Sequence, residues 1–137
     1  MENSFENKSF ISELEMKLQK ELKSCVQLIM NAAKEKKATD IIAVRVADKT
    51  IIADWFIFMS GTSQLHVKSI CDEIEDKAQE ARLELRRREG YNEGRWIVLD
   101  YSNILVHIFH PEEREYYNVE RLWIDATTEV LRCEGEE

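Results

Sequence analysis

The groups in this chain that could hold a metal or move a proton are 3 histidines, 3 cysteines and 27 aspartates and glutamates. His107 and His110 stand three apart on or beside a strand, so their side chains point to opposite faces. A chelating pair would need a bend at Pro111. His66 falls in the first turn of a helix and reads as a surface residue. Cys25, Cys71 and Cys133 are widely spaced and form no C-x-x-C, the pattern of reduced cytosolic thiols rather than a disulfide framework or zinc knuckle. Ser60-Gly-Thr-Ser63 lies between a strand and a helix, where phosphate could sit on the helix N-terminus. It lacks both G-x-x-x-x-G-K-S/T and G-x-G-x-x-G, and a serine-rich helix cap is the commoner use of such a loop. Metal-dependent nucleotidyl transfer would also need carboxylates two apart on the next strand. The chain offers Glu84-Leu-Arg86, with an arginine in the second place. Asp72, Glu73, Glu75 and Asp76 read as the solvated face of a helix. No catalytic residue, cofactor site or metal site is expected.

Lys and Arg number 19 against 27 Asp and Glu, a net charge of −8. Neutralising phosphates requires the opposite balance. A basic protein partner and plain solubility each account for this charge, which does not separate the two, and little or no direct RNA contact is expected. Arg86-Arg-Arg88 is the one basic run, split across two faces by alternation and flanked by Glu84 and Glu89, which favours local ion pairing. A length of 137 residues suits one domain, and 44% hydrophobic residues suffice for a core. The apolar runs are too short to cross a bilayer. Met1-Glu-Asn-Ser-Phe-Glu-Asn-Lys8 carries acids where a signal or transit peptide needs bases. The expectation is a cytoplasmic protein without membrane contact.

The elements that must position these residues follow from periodicity. Ile11, Leu14, Leu18, Leu22, Cys25, Ile29 and Ala33 make one apolar stripe of a first helix. Ser12 and Glu15 are spaced as a capping box, Ile11 and Met16 as a hydrophobic staple, and residues before Ser9 should fray. Strands are predicted over 41–46 and over 51–59, the second with an irregular start near Asp54. A second helix buries Val67, Ile70, Cys71, Ile74, Ala78 and Ala81. Strands follow over 83–88, 95–101 and 104–109. Pro111 opens a short helix that Tyr116, Val119 and Trp123 would pack down. After Asp125 the acidic tail reads as disordered. The order predicts an α+β fold of two layers, a mixed sheet of about five strands with helices on one side.

A turn at Ser102-Asn103 pairs Tyr101 with Ile104, Leu99 with Val106 and Ile97 with Ile108, an apolar face for the helices to cover. The reverse face pairs Asp100 with Leu105, Val98 with His107 and Trp96 with Phe109. An aromatic patch of that kind marks an interaction site unless the tail, the short helix or a second copy covers it.

Longer blocks carry a resemblance. Glu89-Gly-Tyr-Asn-Glu-Gly-Arg-Trp-Ile-Val-Leu-Asp-Tyr101, Val106-His-Ile-Phe-His-Pro-Glu-Glu-Arg114 and Tyr116-Tyr-Asn-Val-Glu-Arg-Leu-Trp123 closely resemble the ribosomal silencing factor (RsfS, or Iojap) family. Lys36-Lys-Ala-Thr-Asp-Ile-Ile42, Ile52-Ala-Asp-Trp-Phe56 and Ser60-Gly-Thr-Ser63 match its other blocks in order. The resemblance spans 20–124, leaving an N-terminal extension over 1–19, mostly the start of the first helix, and the tail over 125–137. It implies a fold similar to nucleotidyltransferases without their catalytic carboxylates. It also implies a translation repressor, not an enzyme, that binds the large ribosomal subunit through ribosomal protein uL-fourteen. Such a factor blocks joining of the small subunit when nutrients are scarce. Trp96 matches the family's motif tryptophan and is the expected anchor, held outside the core so that its loss spares stability. Asp100 and His107 would meet polar or basic partner groups, and Tyr91, Arg95 and Glu89 would form the rim. The family's usual turn glycine is Ser102 here. A monomer or weak homodimer is expected, and a nucleotide-binding enzyme of nucleotidyltransferase-like fold is the competing reading.

Overall fold

The computed structural model describes the backbone of residues 2–133, with side chains from residue 10 onward. The chain runs α1 (Glu2–Glu35), β1 (Thr39–Arg45), β2 (Trp55–Ser60), α2 (Gln64–Glu80), β3 (Arg87–Glu89), β4 (Trp96–Asp100), β5 (Ile104–Phe109) and α3 (Pro111–Tyr117). A 3-10 turn (Val119–Leu122) and β6 (Val130–Arg132) complete it. The sheet order is β3-β4-β5-β2-β1-β6, antiparallel throughout except for the parallel β2–β5 pair. Alternation along the strands divides the apolar side chains between two faces. Ile41, Ala43, Trp55, Ile57, Met59, Ile97, Leu99, Val106 and Ile108 point to one side, where α1 and α2 cover them. Ile42, Val44, Phe56, Phe58 and Phe109 point to the other.

The β4–β5 register is the one the spacing predicts, Trp96 opposite Phe109 through Asp100 opposite Leu105. Several expectations need correction. The tail is not wholly disordered: Val130–Arg132 adds a sixth strand beside β1, and Cys133 N–H donates to the Ile41 carbonyl at 3.2 Å. The tail's last acids, 134–137, lie outside the described residues. β1 is apolar on both faces, and an open edge of that kind is an aggregation hazard that β6 covers.

The second strand starts at Trp55, not Ile51, because Asp54 and Trp55 N–H both turn to the Asn103 carbonyl. Ile51 and Ile52 are therefore left in an exposed loop. The third strand is shifted to Arg87–Glu89. Arg82 turns left-handed at φ +66°, and Leu83 and Leu85 pack on the helix-covered core before pairing with β4 begins. Finally, α1 begins at Glu2, so Ser12 and Glu15 sit inside the helix and cap nothing, while Ile11 and Met16 are exposed instead of stapled. A helix of 34 residues is about 51 Å long, whereas a seven-residue strand spans about 23 Å. The helix outruns the sheet.

Helices do not cover one side only. α3 and the chain after it cross the opposite face, where Trp123 packs edge-on against Phe56 at 5.0 Å between ring centroids. Val119 and Ile124 pack against the same cluster.

Candidate partner-binding surface

Under this thinner cover lies His107, 8% exposed, stacked on Phe58 at 5.0 Å and on Phe109 at 6.1 Å. Burial lowers its pKa to about 4. Its Nδ1 accepts the Trp96 indole N–H at 3.2 Å, which requires the ring to be neutral. His107 is thus buried rather than presented at the surface, where its motif match and alternation put it as a partner contact. It fixes the rotamer of Trp96. The sequence pattern placed it on the right face, but α3 and the 3-10 turn close over that part of it.

Trp96 itself is half-buried. Its ring lies 5.0 Å from Phe109 and 5.1 Å from Tyr117, so it is packed as well as presented. That corrects the expectation of a tryptophan outside the core. Tyr117 is 53% exposed and Tyr116 beside it 81%. Spacing made Tyr116 a packing residue and the family match made Tyr117 one; only Tyr117 meets the sheet, through Trp96. Asn118 in the left-handed region at φ +47° ends α3 there.

Arg95 clamps α3 to β4. Its Nε donates to Glu113 at 2.6 Å and its Nη2 to Glu112 at 2.7 Å. The guanidinium holds the Glu113 carboxyl below the usual carboxylate range. Two glycines seat the loop before β4. A Cβ on Gly90, at φ +82°, would lie 2.1 Å from the Trp96 carbonyl oxygen, and one on Gly94 would lie 2.9 Å from that of Gln64. An open cleft of about 660 Å³ results, with Gln64, Lys68, Glu93, Arg95, Trp96 and Tyr117 among its lining.

The other expected contacts are not gathered there. The Asp100 carboxylate accepts the Ser102 N–H at 2.8 Å, steadying a residue held at φ +75°. Four residues along β4 separate it from Trp96 by about 13 Å. Tyr91 donates its hydroxyl to Asp72 at 2.9 Å, which raises its pKa, and its ring lies under Arg88 at 4.1 Å. Glu89, exposed on β3, pairs with Arg87 at 3.3 Å. The sequence reading missed Lys68 and Gln64, because nothing in α2 marks the turn that β4 approaches.

The remaining candidate chemistry is internally engaged. Ser60 is buried and its hydroxyl accepts from Arg114 at 3.0 Å, while the Ser63 hydroxyl caps α2 by accepting from His66 N–H. Thr62 N–H donates to His66 Nδ1 at 2.8 Å, leaving Nε2–H for the Lys36 carbonyl at 2.7 Å. His66 is therefore a tie between the end of α1 and the start of α2, not a free surface residue. Among the described residues two clusters gather metal-type donors, Cys71 with Asp72 and Glu75, and His110 with Glu112 and Glu113. Each already holds a guanidinium, Arg88 on Glu75 and Arg95 on the second pair, and burial pushes the Cys71 thiol far up.

A family model described as ribosomal silencing factor during starvation matches residues 19–137. The ribosomal silencing factor RsfS of Halalkalibacterium halodurans is 42% identical over 106 residues, 77% of this chain and 91% of that protein. A mouse protein named for mitochondrial assembly of the ribosomal large subunit is 24% identical, over 72% of this chain and 44% of its own length. A crystal structure from Chromobacterium violaceum superposes with a TM-score of 0.73 at 29% identity, covering 74% of this chain and 84% of that one.

Proposed function

The chain belongs to the ribosomal silencing factor family, and from that premise we propose that it represses translation by binding the large ribosomal subunit and blocking the small one. Trp96 carries the reading. It is an aromatic anchor held at a fixed rotamer by His107, flanked by exposed Tyr117 and rimmed by Arg95 and Lys68. Interface hot spots have this composition, a packed aromatic with a polar rim. The net charge of −8 favours a basic ribosomal protein as the immediate contact, and uL-fourteen is the partner proposed. Asp100, Glu89 and Tyr91 would act at the outer edge at most. The reading is non-enzymatic: in the 60–63 loop Gly61 N–H donates to the Phe109 carbonyl and Thr62 N–H to His66, while the Ser60 and Ser63 hydroxyls accept from Arg114 and the α2 cap, which supports a structural use of this loop.

Pelleting the purified protein with isolated ribosomal subunits tests this. Retention on large subunits alone, with loss of subunit joining, is expected. Binding to small subunits as strongly, or to neither, overturns it. Magnesium-dependent nucleotide binding lost on Ser60→Ala would favour the enzyme reading instead.

A further inference from the structure

Among the described residues, the exposed large apolar side chains concentrate on one stretch of α1: Phe10 64%, Ile11 54%, Leu14 47%, Met16 69% and Leu18 55% exposed. Ile11, Leu14 and Leu18 continue toward the N-terminus the stripe that Leu22, Cys25 and Ile29 bury against α2 and the sheet. The helix has outrun the sheet, and among the described residues nothing buries Ile11, Leu14 or Leu18. We propose that the free stripe is an interface between two copies of this chain, in which the overhanging parts of α1 pair antiparallel about a twofold axis.

The charge pattern selects this occupant. Residues 10–23 carry Glu13, Glu15 and Glu21 against Lys17, Lys20 and Lys23, so the segment is neutral within a chain of net charge −8. A polyanion would select a basic helix and a basic protein an acidic one, whereas neutrality lets two acidic bodies approach through this segment. The leading acids, Glu13 and Glu15, precede Lys17 and Lys20, and antiparallel pairing sets the acidic turns of one helix alongside the basic turns of the other. Glu21 runs against this order, and Lys23 is engaged by Glu129 at 2.6 Å. Twofold pairing is self-complementary, so the same stripe serves both copies. With the axis near residue 16, Leu14 meets Leu18 of the second copy and Phe10 comes alongside its Leu22. There α1, Ala47, Asp54 and Trp55 border a cavity of about 570 Å³. A parallel pair would instead force the two bodies into the same space at one end.

Sedimentation equilibrium on the full chain from about 1 µM to about 1 mM should give a reversible monomer–dimer equilibrium. Leu14→Glu with Leu18→Glu should raise the dissociation constant by about a hundredfold or more, because each copy would then bury two charges. Both positions are exposed in the monomer, so melting of the diluted variant should match the parent. As a second route, Glu13→Lys/Glu15→Lys and Lys17→Glu/Lys20→Glu should each weaken self-association, and mixing them should restore it. A parent chain monomeric at every concentration, or a dimer that survives the double leucine variant, overturns the proposal.

Discussion

The two faces of one sheet are built to different standards. On one, aliphatic side chains meet two long helices, and Ile97, Leu99, Val106 and Ile108 are wholly inaccessible. On the other, aromatic rings surround a buried histidine beneath a seven-residue helix and a 3-10 turn. Thick cover makes a face contribute to stability alone. Thin cover leaves Trp96 and Tyr117 both packed and reachable, so on the proposed function the same residues would serve folding and recognition.

The largest break in that contrast should come from Leu99→Ala on the thick side, costing about 2–5 kcal/mol of stability. Large-subunit binding, measured well below the melting temperature, should be unchanged. A silent Leu99→Ala would show that the two faces do not differ as described.

Acid should act on the thin side next. His107 is held at about 4 when folded, against 6.5 as its ordinary value. The unfolded chain therefore binds the extra proton more readily, and stability falls as pH drops through that interval. Linkage puts the loss between pH 7 and pH 5 at about 2 kcal/mol. Denaturant titrations at the two values measure it, and His107→Leu should flatten the difference. Glu113 and Asp125, whose carboxyls are held low, lose their contributions only in stronger acid.

Trp96→Ala should weaken large-subunit binding by about 2 kcal/mol, roughly thirtyfold. It should also cost about 1 kcal/mol of stability, since it unpacks Phe109 and leaves the His107 acceptor unpaired. Affinity and melting temperature measured on one preparation separate the two losses. Full binding by a folded Trp96→Ala would move the contact elsewhere. The smallest effect belongs to Arg95→Ala, which frees α3 from β4. A melting shift below that of Trp96→Ala is expected, with a binding loss that high salt diminishes in the parent as well.

Much of the thick face was legible in the sequence. The period-2 alternation of Ile97, Leu99, Val106 and Ile108 and the 3.6-residue stripe of Val67, Ile70 and Ile74 each specify one buried side, because the geometry of strand and helix is local. The β4–β5 register followed from the turn for the same reason. Trp96 and Arg95 were found in the sequence and stand together in the cleft, while Asp100, chosen by motif match and strand face, and Glu89 and Tyr91, chosen as flanks on the loop, are engaged elsewhere. Alternation says which face a side chain takes and nothing about what lies over that face. That depends on segments distant in the chain: Tyr117 packing on Trp96 and Trp123 on Phe56, the rings that border His107, Val130–Arg132 closing the edge of β1, and a sheet too short for α1. Burial, and with it the pKa of His107 and the exposure of Leu14 and Leu18, is a property of what packs opposite, and only the tertiary structure decides it.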